Sequence, residues 1–244
     1  MSEPRKTRAI VLHKIKHRET SLIATLFTES SGRLSVIVKG AYNKKSPIKA
    51  NLFQPLYLMD AELLISPKRE IQWITEARLV PDLTDLIFDP GKRCIAFFLS
   101  EVLYKTLKDN SEPSSLFDFL WNAMQILDKT RTGTANFHLV FLLQLTRYLG
   151  IQPTNDYASG NEWFDITTGH FSTFPAENNI PPDYAKILSN LLSCPLTKPE
   201  TIPLNESSRN FLLDKILDFY VQHVPGFTVP KSLPVLRKIF STAS

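Results

Sequence analysis

The sequence predicts an α+β protein: a five-stranded β-barrel in residues 1–80, then a mostly α-helical domain in residues 81–244. Three observations carry this prediction. Short apolar, β-branched runs alternate with turn residues in the first third, and apolar residues recur at helical spacing after Pro81. The first 80 residues also hold 14 Lys and Arg against 7 Asp and Glu, whereas the remainder has a balance of −3. This asymmetry predicts that a polyanion meets the first third; the alternative is a solvated basic face.

Five runs in the first 80 residues have the composition of β-strands. A short polar turn, Glu29–Gly32, joins two of them and indicates an antiparallel hairpin, and Ser66–Arg69 indicates another. Five short antiparallel strands usually close into a small barrel, which removes exposed edges. An OB-fold is the leading candidate, and an SH3-like barrel is the alternative that strand counting leaves open. The predicted strands are Thr7–Lys14, Ser21–Thr28, Arg33–Lys39, Phe53–Ile65 and Ile71–Arg78.

The helical domain contains one helix that is apolar nearly all round, Asn136–Leu149, which we expect to be central and buried. Gly150 and Pro153 end it. Residues 151–181 form an irregular insert with one predicted hairpin, Trp163–Phe171. The other predicted helices are Lys92–Lys108, one beyond Ser115, Pro182–Ser193, Glu206–His223 and Leu233–Phe240.

The composition favours a cytoplasmic protein. No run approaches the roughly 20 apolar residues that cross a bilayer, and no apolar segment of a secretory signal follows the N-terminus. The two cysteines, Cys94 and Cys194, lie far apart, and nothing requires them to pair. We therefore expect a cytoplasmic location and no membrane association.

Signatures of catalysis are missing from the sequence. It has no glycine-rich nucleotide loop, no GxSxG elbow, no HExxH and no CxxC. The histidines are scattered, and His138, in the apolar helix, is expected to be a core residue. Active sites can assemble in space from distant residues, so this absence only lowers the expectation of catalysis. We predict that the chain is not an enzyme, and a nuclease is the least favoured class.

The segment Arg33–Lys49 carries the clearest functional signal. It contains five basic residues and no acid, and Gly40 and Pro47 indicate that its middle is a loop. Ammonium groups neutralise phosphates, and aromatic rings stack bases without reading sequence. The alternative is a solvated loop with its tyrosine capping the barrel. The predicted nucleic-acid contacts are Arg33, Lys39, Tyr42, Lys44, Lys45 and Lys49, with Arg5, Lys6 and Arg8 extending the path; Lys14, Lys16 and Arg18 form a second, less clearly linked patch.

Short motifs of one family run in order along almost the whole chain. Val38–Ala41 followed by Lys44–Ser46 is similar to the family's KGA…KS loop. The remaining matches are Ala9–Leu12, Glu19–Ile23, Phe27–Leu34, Gln54–Pro55, Phe141–Gly150 with Pro153, and His223–Phe227 with Lys231–Leu233. Together these residues resemble the RecO family of recombination mediators.

The resemblance implies an OB-fold followed by a helical domain, without enzymatic turnover. It implies binding of single- and double-stranded DNA, annealing of complementary strands, and a location at the bacterial nucleoid. It also implies partnership with RecR and with single-strand-binding protein, so that recombinase loads onto coated DNA. Carried over by position, Lys39, Lys44 and Lys45 would contact DNA, whereas Tyr42 rests on the stacking argument. An RNA-binding OB-fold factor is the alternative function.

Two further expectations concern the helical domain. The acidic, Phe-terminated tail of single-strand-binding proteins needs an apolar pocket with a nearby cation, for which Arg147 is the candidate. Many RecO proteins carry two pairs of cysteines after the central helix, but Thr154–His170 contains none. We therefore predict no zinc and no other cofactor. The Trp163–Phe171 hairpin would then be held by Trp163, Phe164 and Phe171.

Overall fold

The computed structural model describes residues 3–81, 83–107 and 114–241. The chain divides into two compact units. The first unit comprises Met1–Asp89 with Ala96–Asp128, and the second comprises Pro90–Ile95 with Lys129–Ser244. The unit that holds the barrel therefore also holds helical residues. The domain boundary near residue 80 stays a prediction, and Lys108, the predicted end of one helix, lies outside the described residues.

The first five strands form a closed barrel in the order β1-β2-β3-β5-β4. All neighbouring pairs are antiparallel except β3 and β5, which run parallel. A five-stranded Greek-key barrel of this order is the OB arrangement, so the predicted fold class is confirmed. The strands are β1 Glu3–His17, β2 Ser21–Thr28, β3 Gly32–Val38, β4 Leu58–Ile65 and β5 Ile71–Leu79.

Alternation along the strands fills the barrel. Residues two apart share a face, so Ala9 and Val11 of β1, and Val36 and Val38 of β3, all lie in the core. Strand β1 is longer than predicted because it pairs with β2 through its second half and with β4 through its first half.

The predicted strand Phe53–Ile65 begins too early, because β4 starts at Leu58. Leu56 has a φ of +57°, which interrupts the extended backbone. Its amide donates to the carbonyl of Val11 at 2.8 Å, and Phe53 is fully buried in the barrel core. The apolar run therefore closes the barrel and does not lengthen a strand.

Helical residues of the first unit cover part of the barrel's outer surface. The helices here are α1 Thr84–Phe88, the part of α2 Pro90–Thr106 from Ala96 onward, and α3 Ser114–Lys129 as far as Asp128. Phe27 of β2 lies outside the barrel core but is fully buried, with its ring centroid 6.1 Å from that of Phe117 in α3. Phe27 is thus buried against α3.

The second unit is built around α4 Phe137–Tyr148, which is buried along most of its length, as predicted. The hydroxyl of Tyr220 donates to the Leu142 carbonyl at 2.7 Å and ties the helix that carries it to α4. Asn205 caps that helix by accepting from the amide of Ser208 at 2.8 Å. The remaining helices are α5 Pro182–Ser193, α6 Glu206–His223 and α7 Leu233–Ser241.

The insert forms a three-stranded sheet of β6 Trp163–Asp165, β7 His170–Ser172 and β8 Asn179–Ile180. The rings of Phe164 and Phe171 meet edge-on, with centroids 5.0 Å apart. Asp156 accepts from the amide of Phe171 at 3.0 Å. Within the described ranges, no three His, Cys, Asp or Glu side chains gather as a metal site would require. The contact between Phe164 and Phe171, the Asp156 hydrogen bond and the backbone pairing hold this sheet together.

Cys94 and Cys194 are both free and buried. Across residues 3–81, 83–107 and 114–241, no helix combines the length and apolar character that a bilayer span needs.

Candidate nucleic-acid interface

The loop after β3 is anchored to the barrel by apolar residues. Ala41 and Ile48 are buried in the barrel core. Backbone hydrogen bonds fix both ends: the amide of Tyr42 donates to the Thr20 carbonyl, and the amide of Ala50 donates to the Ala41 carbonyl, each at 3.0 Å. The barrel therefore holds the backbone of the loop in a defined path.

Gly40 sets the direction of this loop. Its φ of +66° lies in the left-handed region, which glycine adopts without a steric penalty. Its carbonyl accepts from the amide of Asn43 at 2.8 Å, and a Cβ at this position would lie 3.0 Å from Asn43 Nδ2. The orientation of the residues that follow thus depends on glycine here.

The loop presents cations and one ring to solvent. Lys39, Lys44, Lys45 and Lys49 are all exposed, and Tyr42 keeps 46% of its surface accessible. The Lys49 ammonium donates to the Lys44 carbonyl and so supports the loop from within. The structure brings these five predicted residues together on one short segment, here called the cationic loop, residues 39–49. Their contact with DNA stays a prediction.

The second basic patch, whose Lys14 and Lys16 lie near the end of β1, is joined to the cationic loop. The Lys16 ammonium lies 5.7 Å from the Tyr42 ring centroid, within cation–π range. The Lys14 ammonium donates to the Ala50 carbonyl at 3.2 Å, and burial lowers the pKa of Lys14. Two patches that are separate in sequence therefore form one basic surface at this end of the barrel.

Sequence reasoning missed Trp73 on β5. This ring is 39% exposed, with the Lys39 ammonium 4.1 Å and the Arg69 guanidinium 4.4 Å from its centroid. A signal was present, because strand alternation that buries Gln72 and Ile74 must direct Trp73 outward. The sequence did not show which strand lies next to β5. In the structure, β3 pairs with β5 in parallel.

Arg8 is engaged on the side of the barrel that faces α3. Its guanidinium forms a two-pronged ion pair with Glu29, at 2.9 and 2.7 Å, and lies 3.3 Å from Asp118. It also lies 5.3 Å from the Phe117 ring centroid and 4.9 Å from that of Trp121. The hydrogen bond with Glu29 raises the pKa of Arg8 and lowers that of Glu29. These contacts link barrel and helix, and a DNA contact by Arg8 stays a prediction.

Arg33 lies against the end of α2. Its guanidinium donates to the carbonyls of Tyr104, at 2.9 Å, and of Leu107. It also lies 4.6 Å from the Tyr104 ring centroid. The last carbonyls of a helix have no partner within the helix and lie at the negative end of its dipole. A cation there donates to these carbonyls and interacts favourably with the dipole. The structure therefore places Arg33 in a helix-capping position at the end of α2, and a DNA contact by Arg33 stays a prediction.

Arg5 and Lys6 lie on a surface of mixed charge. The Arg5 guanidinium donates to the hydroxyl of Ser31 at 3.2 Å, and Lys6 is exposed. The open depression beside Lys6 is lined by three basic side chains and four carboxylates, namely Lys6, Arg8 and Arg78 with Glu29, Asp60, Glu62 and Glu76. These carboxylates would oppose a phosphate backbone, so this part of the predicted path has weaker electrostatic support than the loop.

In the second unit, Arg147 is exposed in the last turn of α4. His138 of the same helix is fully buried, and burial, with a smaller effect of the Arg209 charge, lowers the pKa of His138 to about 3. His138 is therefore a neutral core residue in the working pH range. The partner-binding role of Arg147 stays a prediction.

Comparison with known proteins decides the family. The model described as "Recombination protein O N terminal" matches residues 1–81, and "Recombination protein O C terminal" matches residues 88–233. The chain belongs to the RecO family. The N-terminal RecO match covers all five barrel strands, so the closed barrel is the RecO N-terminal fold in this chain.

RecO relatives match over nearly the full length. The DNA repair protein RecO of Bacteroides fragilis is 36% identical over 238 residues, covering 96% of this chain and 98% of the relative. The RecO proteins of Phocaeicola vulgatus and Flavobacterium psychrophilum are 35% and 33% identical, each covering 97% of this chain and 99% of the relative. The recognised resemblance is thus confirmed, and the chain is a member of a DNA repair protein family.

Proposed function

We propose that this chain is a mediator of DNA repair and homologous recombination. It binds single- and double-stranded DNA, anneals complementary strands, and helps load recombinase onto DNA coated by single-strand-binding protein. The observation that carries the proposal is the cationic loop, which exposes four lysines and Tyr42 with no acid on a closed OB barrel. Lysines and rings contact any sequence, which is what annealing of arbitrary strands requires.

The proposed activity needs no covalent chemistry. Two complementary strands repel each other through their phosphates, and a surface that neutralises both lowers this barrier without making or breaking a bond. The exposed ammonium groups of Lys44 and Lys45 are suited to this task because they are free to follow a moving backbone. We accordingly propose a non-enzymatic role.

The proposed partners are RecR and the C-terminal tail of single-strand-binding protein. The tail is acidic and ends in Phe, so it needs a cation beside an apolar pocket. Arg147 supplies an exposed cation in the second unit. We further propose that the protein works in the bacterial cytoplasm at the nucleoid, where its DNA substrate lies.

Strand annealing tests this proposal. Two complementary oligonucleotides, one carrying a fluorophore and the other a quencher, are mixed with and without prior coating by single-strand-binding protein. The wild-type chain should accelerate pairing in both conditions. Failure to accelerate either reaction would contradict the mediator role. Binding to RNA much tighter than to DNA of equal length would favour the RNA-binding alternative, because only RNA offers the 2′-hydroxyl.

A further inference from the structure

The outer face of the β3–β5 pair carries an exposed aromatic ring. In the parallel register, Ile37 lies beside Trp73. Val36 and Ile74 fill the barrel core, so alternation places Ile37 and Trp73 on the outer side. Trp73 remains 39% exposed, and Ile71, two residues earlier on the same face, remains 38% exposed.

Phe27, another large ring on the outer side of the barrel, is in a different environment. Phe27 is fully buried, and its ring meets Phe117 of α3. Trp73 instead makes its described ring contacts with two cations, Lys39 and Arg69. A tryptophan ring left accessible beside positive charges matches what single-strand binding uses, a stacking platform next to phosphate-neutralising groups.

The turn that carries Arg69 is held in place by a buried glutamine. Gln72 is 7% exposed, and its Oε1 accepts from the amide of Ser66 at 2.8 Å. Its Nε2 donates to the carbonyl of Arg69 at 2.6 Å. The amide of Arg69 closes the turn on the Ser66 carbonyl at 3.1 Å. The position of Arg69 beside Trp73 is therefore set before any ligand arrives.

Lys39 connects this ring to the cationic loop. It follows the last residue of β3, and its ammonium lies 4.1 Å from the Trp73 ring centroid. The same residue begins the loop that carries Lys44 and Lys45. One strand of nucleic acid could therefore run along both features without a break in positive charge.

We propose that Trp73 is a base-stacking subsite for single-stranded DNA. One nucleobase stacks on the indole, and Lys39 and Arg69 move from the ring to the phosphates that flank it. A base stack is a stronger contact than an exposed cation–π pair, so the exchange is favourable. The occupant is single-stranded DNA because a planar base and a phosphate match the ring and the cations together. This inference rests on the proposed function, because it identifies one residue through which the chain would contact single-stranded DNA.

The test compares Trp73→Ala with wild type on two ligands. The ligands are an oligothymidylate and an abasic oligonucleotide of the same length, which keeps the phosphates but has no bases. Loss of one stacked base should weaken oligothymidylate binding by about 5- to 150-fold. Binding to the abasic strand should change much less. Ile71→Ala is the matched control, because it removes an exposed apolar side chain of the same face that cannot stack a base.

The outcomes separate the subsite from the proposed function. A wild-type chain that binds no single-stranded DNA refutes the proposed function. A wild type that binds, with a Trp73→Ala variant of equal affinity for oligothymidylate, overturns the subsite alone. If Trp73→Ala binds oligothymidylate as tightly as wild type, the subsite is overturned even when an acidic peptide binds to the outer face of β3 and β5.

A second measurement covers the case in which Trp73→Ala fails to fold. The chain has three tryptophans, and replacing Trp121 and Trp163 by Phe leaves Trp73 as the only indole emitter. Oligothymidylate should quench this emission, and the abasic strand should not. Equal emission with both ligands at saturation overturns the subsite.

Discussion

Neutralising two lysines of the cationic loop should change how DNA binding depends on salt. Lys44 and Lys45 are exposed and lie in a loop segment without acids. If each neutralises one phosphate, the Lys44→Gln/Lys45→Gln variant releases two fewer counterions, and the slope of log K against log salt should fall by about 1.4. Between 50 and 200 mM salt, that difference makes the wild type lose about sevenfold more affinity than the variant. Fluorescence anisotropy with a labelled oligothymidylate at four salt concentrations measures both slopes.

The matched control changes the same number of charges elsewhere. Lys186 and Lys198 are exposed in the second unit, and their replacement by Gln alters net charge equally. This control should keep the wild-type slope. A loop variant with the wild-type slope, or a control variant with the same reduced slope, would refute the assignment of Lys44 and Lys45 to phosphate contacts.

Three further predictions concern stability. Because burial lowers the pKa of His138 to about 3, only the unfolded chain takes up this proton as pH falls through 6.5. Wild type should therefore lose about 2 kcal/mol of unfolding free energy relative to His138→Phe between pH 8 and pH 5; parallel urea-unfolding curves would contradict this. Arg8→Ala removes an ion pair and two ring contacts that are partly exposed, so urea unfolding should show a loss of about 1–2 kcal/mol, and an unchanged midpoint would show that the contacts contribute nothing. Gly40→Ala places a Cβ in the left-handed region and should cost about 1 kcal/mol and weaken DNA binding; a variant with wild-type stability and affinity would show that the loop path does not depend on glycine.

Much of the barrel could be predicted because its strands are apolar, β-branched runs that are separated by clear turn residues. Ser21–Thr28 is a strand with the predicted bounds. The assignment of residues 53–57 to a strand was wrong, because an apolar run does not show whether its residues pair in a sheet or fill the end of the barrel. The choice between an OB and an SH3-like barrel depended on strand order, which local pattern does not encode.

The cationic loop was predictable because its signals are local. Gly40 and Pro47 mark a loop, and the lysines between them have no neighbouring acid to pair with. Arg33 shows the limit of this reasoning. It is basic and close in sequence to the loop, yet it donates to the carbonyls at the end of α2, more than 70 positions away. A distant partner of this kind is invisible until the helix has been placed on the barrel.

Trp73 is the converse case, a candidate DNA contact that the sequence analysis did not single out. The turn just before its strand contains charges of both signs, Arg69 and Glu70, so no basic run draws attention to it. Its contact with Lys39 depends on the parallel β3–β5 pairing, which joins residues more than 30 positions apart. Period-two alternation alone was enough to place the ring on the outer face.

The most direct test of the central claim is a map of where single-stranded DNA touches this chain. Halogenated deoxyuridine oligonucleotides, irradiated in complex with the full chain, can be located by mass spectrometry of the crosslinked peptides. We expect crosslinks in the cationic loop, at Tyr42 in particular, and on β5 at Trp73. Crosslinks confined to residues 129–241, with none in the barrel, would contradict the assignment of the OB barrel as the DNA-binding surface.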